Sequence, residues 1–225
     1  MTNKNIFVAC DVSSHKEILD LLELIHEDIS GIKIGLQYIT RRSPEEIREL
    51  SKFKKPIFYD GKFFDIKNTL IESIKALKDL NVTYATVHLL NGLDALKAAN
   101  QAAQEINLGL LGVSVLTSFD DKDLKNLGFN KKVEDQVKKL IKIAMEAKLY
   151  GVICSPLEIK MIKEIAPNLK CFTPGIRMEK TNDDQKRTMT ANEAIKAGSD
   201  CLIIGRPITK GDPQENIKNI LSSID

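Results

Sequence analysis

Short apolar runs alternate with amphipathic stretches along the whole chain. The runs have the length of β-strands and are apolar on both faces, which is typical of strands buried in a parallel sheet. They predict eight strands, at 6–10, 31–36, 56–59, 83–88, 109–115, 151–154, 170–173 and 201–204. Between them, apolar residues recur with the period of helices that bury one face. This second pattern predicts helices at 16–27, 44–53, 68–80, 93–105, 133–148, 156–165, 191–197 and 214–224.

The order of these elements predicts the fold class. Eight units of a strand followed by a helix, within 225 residues, fit a compact α/β architecture, the (β/α)8 TIM barrel. Periodicity alone also allows a doubly wound open sheet covered by helices. No linker rich in Pro, Gly or Ser and no low-complexity segment divides the chain. We therefore expect a single domain over residues 1–225.

Several polar residues stand where predicted strands end. Asp11 follows the first strand, Asp60 the third and Ser155 the sixth, while His88 ends the fourth. In a barrel these strand ends meet at one rim, where active sites of this fold are built. Lys33 differs because it lies inside the second predicted strand. Its side chain either snorkels to solvent or is held in a polar network at the barrel mouth.

Composition and charge exclude several classes of partner. The chain has 33 basic and 31 acidic residues, and a net charge of +2 does not predict nucleic-acid binding. The longest apolar runs are far shorter than a membrane span. The four cysteines lie far apart and the three histidines are scattered, so neither a disulfide framework nor a metal site is predicted. Buried free thiols and the absence of a signal-peptide pattern lead us to expect a cytoplasmic protein.

The last predicted strand leads into a candidate phosphate site. In CLIIGRPIT, residues 201–209, Gly205 lets a backbone N–H approach an anion and Arg206 can hold a phosphate at two points. An ordinary turn with a surface arginine is the alternative. The polar connection 173–190 contains Arg177, Gln185 and Arg187 beside this site. It is either a lid over a bound ligand or a plain surface loop.

Motifs spread over nearly the whole chain are similar to those of the orotidine 5′-monophosphate decarboxylase family. The most specific is DGKFFDIKNT at 60–69, which has the pattern D-x-K-x-x-D-I-x-N-T after the third strand. The others, in matching order and spacing, are CDVS at 10–13, IKIG at 32–35, VHLLNG at 87–92, VSVLTS at 113–118, VICSP at 152–156, TPGIR at 173–177 and IIGRPIT at 203–209.

The resemblance implies conversion of orotidine 5′-monophosphate to uridine 5′-monophosphate and CO2, in pyrimidine biosynthesis, by a homodimer without cofactor or metal. It also implies that Lys33, Asp60, Lys62 and Asp65 form a charged network around the reacting carbon. In that network Asp65 comes from the partner subunit and Lys62 is the proton donor.

The same resemblance implies contacts with the rest of the substrate. Asp11 and Lys33 contact the ribose hydroxyls, with Asp60 close to the substrate, and Thr69 reaches across the dimer. Ser114 and Thr117 lie by the base. The phosphate end is formed by Arg177, Gln185, Gly205 and Arg206.

The chemistry explains why ionisable groups follow a buried strand. Loss of CO2 leaves an electron pair that no cofactor delocalises, so the protein must stabilise a carbanion and supply a proton. The Lys62 ammonium does both, and flanking carboxylates keep it charged despite burial. Two positions depart from the family's usual residues, Phe64 in place of His and Lys67 in place of Pro. We expect them to leave the network intact and to loosen the turn into the next helix.

Two other functions remain as alternatives. A sister family of Mg2+-dependent sugar-phosphate decarboxylases and aldolases shares D-x-K-x-x-D, but it typically carries an acidic metal ligand at the position of Lys33, and a lysine is not a Mg2+ ligand. A non-catalytic barrel that binds a phosphate ligand is the second alternative. Such a protein has no need of a proton donor between two carboxylates.

Overall fold

Eight parallel strands form a closed barrel in which each strand pairs with its neighbours in sequence and β8 pairs with β1. The computed structural model describes residues 5–12, 14–178 and 187–224. The strands are β1 Ile6–Ala9, β2 Gly31–Gly35, β3 Ile57–Phe63, β4 Tyr84–His88, β5 Gly109–Val113, β6 Gly151–Ile153, β7 Lys170–Thr173 and β8 Cys201–Ile204. The predicted (β/α)8 barrel is confirmed, and the open doubly wound sheet is wrong.

Helices on the outside of the barrel bury one apolar face each against the strands. Their bounds are α1 His15–Ile25, α2 Leu36–Ile39, α3 Pro44–Glu49, α4 Lys67–Lys75, α5 Leu93–Glu105, α6 Asp121–Asn126, α7 Val133–Glu146, α8 Ile159–Ile165, α9 Ala191–Ala197, α10 Arg206–Thr209 and α11 Pro213–Ile224. The predicted helices 44–53 and 68–80 each end in a 3-10 segment, Leu50–Phe53 and Ala76–Leu80. The short helices α2, α6 and α10 escaped prediction because isolated segments of four to six residues contain too few apolar positions to show a period.

The third strand is longer than predicted. We expected it to end at Tyr59, with Asp60 just beyond it, but β3 continues to Phe63 and includes Asp60 and Lys62. Its pairing with β4 is irregular between Tyr59 and Phe63. Charged residues break the apolar pattern of a strand, although the mouth of a barrel accommodates them. The predicted strand therefore ends at Tyr59, whereas β3 ends at Phe63.

The core has two layers. The larger lies between the strands and the helices, and alternate strand residues such as Ile6, Val8, Ile32 and Ile34 point into it. The smaller fills the barrel interior with residues that include Phe7, Phe58, Phe172, Leu111 and Ile203. The Phe172 ring packs edge-on against Phe7 and Phe58, with centroids 6.1 Å apart in both pairs. Because aromatic rings fill the interior, the space at the carboxyl ends of the strands lies above them, at the mouth.

Two features follow from the distribution of apolar residues. Cys10, Cys154, Cys171 and Cys201 are buried free thiols, as predicted. Within the described ranges, no helix is both long enough and apolar enough to cross a membrane.

Candidate active site

A cavity of about 770 Å³ opens at the carboxyl ends of the strands. Eight of the predicted site residues line it, from β2 and β3 and from the segments after β1, β5, β7 and β8. They are Asp11, Lys33, Asp60, Lys62, Thr117, Arg177, Gly205 and Arg206. The barrel thus brings together groups that lie almost 200 residues apart in the sequence.

Alternating charges form a connected network along one wall of this cavity. The Lys33 ammonium lies 3.0 Å from the Asp11 carboxylate and 3.7 Å from that of Asp60. The Lys62 ammonium lies 2.8 Å from the same Asp60 oxygen, Oδ2. Lys33 is buried, with a side chain only 8% exposed. Of its two predicted placements, the polar network is confirmed and snorkelling is wrong.

Gly35 makes room for the Asp11–Lys33 ion pair. A methyl group at residue 35 would lie 2.8 Å from Asp11 Oδ1 and 3.1 Å from Lys33 Nζ. The first distance is shorter than real Cβ contacts allow, and the oxygen belongs to the pair itself. Gly35, which ends β2, is therefore explained sterically, because a side chain there would collide with the Asp11–Lys33 ion pair.

Asp60 is ionised at neutral pH even though it is largely buried. Burial by itself would raise the pKa of Asp60, but the charges of Lys33 and Lys62 and hydrogen bonds from Lys62 and Thr86 hold it below its ordinary value. Burial and the neighbouring Lys62 charge lower the pKa of His88, so its ring adds no competing positive charge at neutral pH. Lys33 and Asp60 are the shielded members of the network, with side chains 8% and 13% exposed, so their charges interact more strongly than charges in water do.

Asp65 and Thr69 lie outside this cavity, with Asp65 exposed in the turn before α4 and Thr69 exposed in the first turn of α4. Asp65 Oδ1 accepts the N–H of Ile66 at 2.7 Å, and its own N–H donates to Asn91 Oδ1 at 3.1 Å. Asn91 also donates to the carbonyl of Phe63 at 3.0 Å, which fixes the turn. Among the described residues, no ion pair joins Asp65 to Lys62.

Thr117, Ser114 and Gln185, which the resemblance places by the base and the phosphate, fall in three different places. Thr117 is half-buried at the cavity wall. Ser114 is buried and donates to the Ile153 carbonyl at 3.2 Å. It lines a smaller neighbouring cavity of about 160 Å³ rather than the main one. Gln185, with most of the connection interpreted as a lid or loop, lies outside the described residues.

Three basic residues line the side of the cavity next to β7 and β8. Arg177 follows β7 and is buried, and Arg206 is exposed at the start of α10. Lys210, which sequence reasoning did not single out, follows α10 and lines the same cavity. This concentration of positive charge suits a phosphate group.

A buried ion pair that sequence reasoning missed supports the loop carrying Thr117. Arg187 pairs with Glu158, and its Nη2 donates to the Leu116 carbonyl at 3.0 Å. Glu158 also accepts the Ser155 N–H at 2.9 Å. Burial raises the pKa of Glu158, against the lowering effect of Arg187. The spacing of Ser155 and Glu158 is a visible capping box, but no local signal connects it to an arginine 29 residues later.

The two departures from the family pattern leave the charged network unbroken. Phe64 is 63% exposed, and its ring centroid lies 5.6 Å from that of His88. Lys67 is the first residue of α4, and its ammonium lies 2.8 Å from Asp94. The expected loosening of this turn stays a prediction.

A (β/α)8 barrel with an alternating-charge network and a basic end in one cavity defines a class of enzymes that act on small phosphorylated substrates. Residues 4–220 match the model of the Orotidine 5′-phosphate decarboxylase / HUMPS family. The chain belongs to this family, as its motifs predicted.

Similar proteins and structures cover almost the whole chain. Proteins named orotidine 5′-phosphate decarboxylase from Wolbachia pipientis subsp. Culex pipiens (strain wPip) and Ehrlichia canis (strain Jake) are each 38% identical to it. The alignments cover 97% of this chain and 98% and 97% of those proteins. The crystal structure of orotidine 5′-phosphate decarboxylase from Lactobacillus acidophilus superposes with a TM-score of 0.86 at 30% identity, over 99% of this chain and 100% of that one. An uncharacterized conserved protein from Geobacillus kaustophilus, 24% identical with a TM-score of 0.85 over 98% of this chain and 100% of that one, shares the fold.

Proposed function

We propose that this protein is a carboxy-lyase that converts orotidine 5′-monophosphate to uridine 5′-monophosphate and CO2 in pyrimidine biosynthesis, without a cofactor. The observation that carries the proposal is the cavity in which Lys33, Asp60 and Lys62 face the same space as Arg177 and Arg206. It offers a proton donor and fixed charges at one side and phosphate-binding groups at the other. Family membership gives the substrate class.

Lys62 is the proton donor in this mechanism. The bond between C6 of the pyrimidine and the carboxylate breaks, CO2 departs, and the electron pair stays on C6. The Lys62 ammonium stabilises that charge and then transfers a proton to C6. Asp60, 2.8 Å from the ammonium, pairs with its charge and orients it until then. The neutral amine regains its proton from solvent after product release.

The other residues bind and orient the nucleotide. Asp11 and Lys33 hold the ribose hydroxyls, and Thr117 and Ser114 lie on the side of the base. The phosphate is bound by Arg177, Gln185, Gly205 and Arg206. These contacts give the substrate one orientation, with C6 toward Lys62.

A second copy of the chain completes the site. Asp65 and Thr69 lie on an exposed segment outside the cavity of their own chain. Beside them Phe64 is 63% exposed and Ile66 is 74% exposed, which suits an interface. The two residues therefore reach the partner's cavity in a homodimer of single-domain subunits. Four buried free thiols favour the cytoplasm.

Conversion of the nucleotide tests the reaction. We expect the purified protein to convert orotidine 5′-monophosphate to uridine 5′-monophosphate, followed by absorbance, at the same rate with and without EDTA. Loss of activity in EDTA that returns with Mg2+ would favour the sister family of Mg2+-dependent enzymes. Tight binding of the nucleotide without conversion would favour a non-catalytic barrel.

Complementation between inactive variants tests the shared site. In a mixed dimer of Lys62→Ala and Asp65→Asn chains, one site has the intact Lys62 of one chain and the intact Asp65 of the other. We expect an equilibrated equimolar mixture to recover about a quarter of wild-type activity, because half of the dimers are mixed and each has one intact site. No recovery, with subunit exchange verified by labelled chains, would place Asp65 in its own chain's site.

A further inference from the structure

We propose that Thr86 is a positioning residue that sets both the Asp60 carboxylate and the backbone of Lys62 for proton transfer. The inference rests on the proposed function and assigns a role to a residue that does not line the cavity. Thr86 lies in the middle of β4 and is completely buried.

A single oxygen atom makes both contacts. Thr86 Oγ1 donates a hydrogen bond to Asp60 Oδ1 at 3.0 Å. It also accepts the backbone N–H of Lys62 at 2.8 Å. Because Oδ1 of Asp60 is held in this way, Oδ2 faces the Lys62 ammonium at 2.8 Å and the Lys33 ammonium at 3.7 Å. The hydroxyl thus fixes the rotation of the carboxylate that orients the proton donor.

The pairing of β3 with β4 explains why a side chain is needed here. Tyr59 pairs with Ala85 and Phe63 pairs with Val87. Three residues of β3, Asp60 to Lys62, therefore lie opposite Thr86 alone. The regular ladder is interrupted, and Lys62 has a φ of +49°, in the left-handed region that a lysine seldom adopts. The Thr86 hydroxyl supplies the acceptor for the N–H in the interrupted stretch.

The chemistry of threonine fits both tasks. A hydroxyl donates one hydrogen bond and accepts others, whereas valine has the same shape and can do neither. The β-branched carbon suits a buried strand. Loss of the hydroxyl frees Asp60 to rotate and releases the Lys62 backbone, so the ammonium moves away from the substrate carbon.

Kinetics of matched variants test the proposal. We expect Thr86→Val to lower kcat for orotidine 5′-monophosphate by about 10²-fold, the typical cost of a small misplacement of a reacting group. KM should change little, since the nucleotide contacts are intact. Thr86→Ser, which keeps the hydroxyl, should retain most of the activity. Thr86→Ala removes the hydroxyl without added bulk and should match Thr86→Val. A kcat equal to that of Thr86→Ser in both hydroxyl-free variants would overturn the proposal.

Two measurements without substrate separate this proposal from the proposed reaction. A hydrogen bond to the ionised carboxylate lowers its pKa, so its removal should raise the pKa of Asp60 in carbon-13 NMR titrations. Exchange of the Lys62 amide hydrogen should be faster in Thr86→Val and Thr86→Ala than in Thr86→Ser. If neither quantity changes in folded variants, Thr86 does not position the two groups. If the wild-type protein does not decarboxylate the nucleotide, but the Asp60 pKa and the Lys62 amide exchange still change in the hydroxyl-free variants, the proposed reaction is refuted. The positioning role of Thr86 is then still supported.

Discussion

Replacing Lys62 with alanine is expected to abolish measurable decarboxylation while uridine 5′-monophosphate still binds within several-fold of the wild-type affinity. In the proposed mechanism the ammonium both stabilises the carbanion and delivers the proton. Each of these effects is typically worth 10² to 10³-fold or more, so kcat should fall by about 10⁴-fold or more. The phosphate and ribose contacts remain, which preserves binding. Single-turnover conversion and calorimetric titration of the product measure the two quantities.

Two further substitutions make this result specific. Lys62→Arg keeps a positive charge but removes an acidic proton, so it separates charge stabilisation from proton donation. Lys67→Ala removes a lysine from the same segment, where it pairs with Asp94 outside the cavity, and should leave activity near wild type. A kcat within tenfold of wild type for Lys62→Ala would contradict the role of Lys62 as proton donor.

Replacing Arg206 with alanine is expected to lower kcat/KM by about 10³-fold, because the two charge-assisted hydrogen bonds proposed between Arg206 and the phosphate would be lost. Arg206 is exposed at the start of α10, so the midpoint of thermal unfolding should shift by only a few degrees. Steady-state kinetics and a melting curve on the same preparation check both expectations. If binding energy at the phosphate contributes to the chemical step, kcat falls as well as affinity.

Orotidine, which lacks the phosphate, provides the control for Arg206. The penalty of Arg206→Ala should largely disappear with this substrate, because the group that Arg206 binds is missing. If Arg206→Ala lowers kcat/KM equally for orotidine and for orotidine 5′-monophosphate, Arg206 does not act on the phosphate.

The sequence predicted the order of strands and helices because the evidence for each element is local and repeated. Each strand is a short apolar run and each long helix has its own period, so a boundary error in one unit does not alter the order of elements. The error in β3 arose where this evidence was weakest. Asp60 and Lys62 belong to the strand, but their charges look like the beginning of a loop.

Site residues could be predicted from the sequence only where they belong to a recognisable motif. Lys33 had two possible placements, because its partners Asp11 and Asp60 come from other strands. Thr86 looked like one more residue of a buried strand, since only the irregular pairing reveals its role. The pairing of Glu158 with Arg187 joins segments whose proximity depends on closure of the barrel.

The positive φ of Lys62 has a consequence for the evolution of this chain. Among the residues that the structure describes, the other non-glycine residues with positive φ are Lys54, Asn81, Asn107 and Lys148. These lie at turns and helix ends, whereas Lys62 lies within a strand. A non-glycine residue in this conformation costs roughly 1 kcal/mol or more, and glycine avoids that cost. Glycine at residue 62 would remove that backbone cost, but it would also remove the ammonium that pairs with the largely buried Asp60 carboxylate. Only when Asp60 is also free to vary should a library enriched for thermal stability lose the pair, and with it the proposed proton donor.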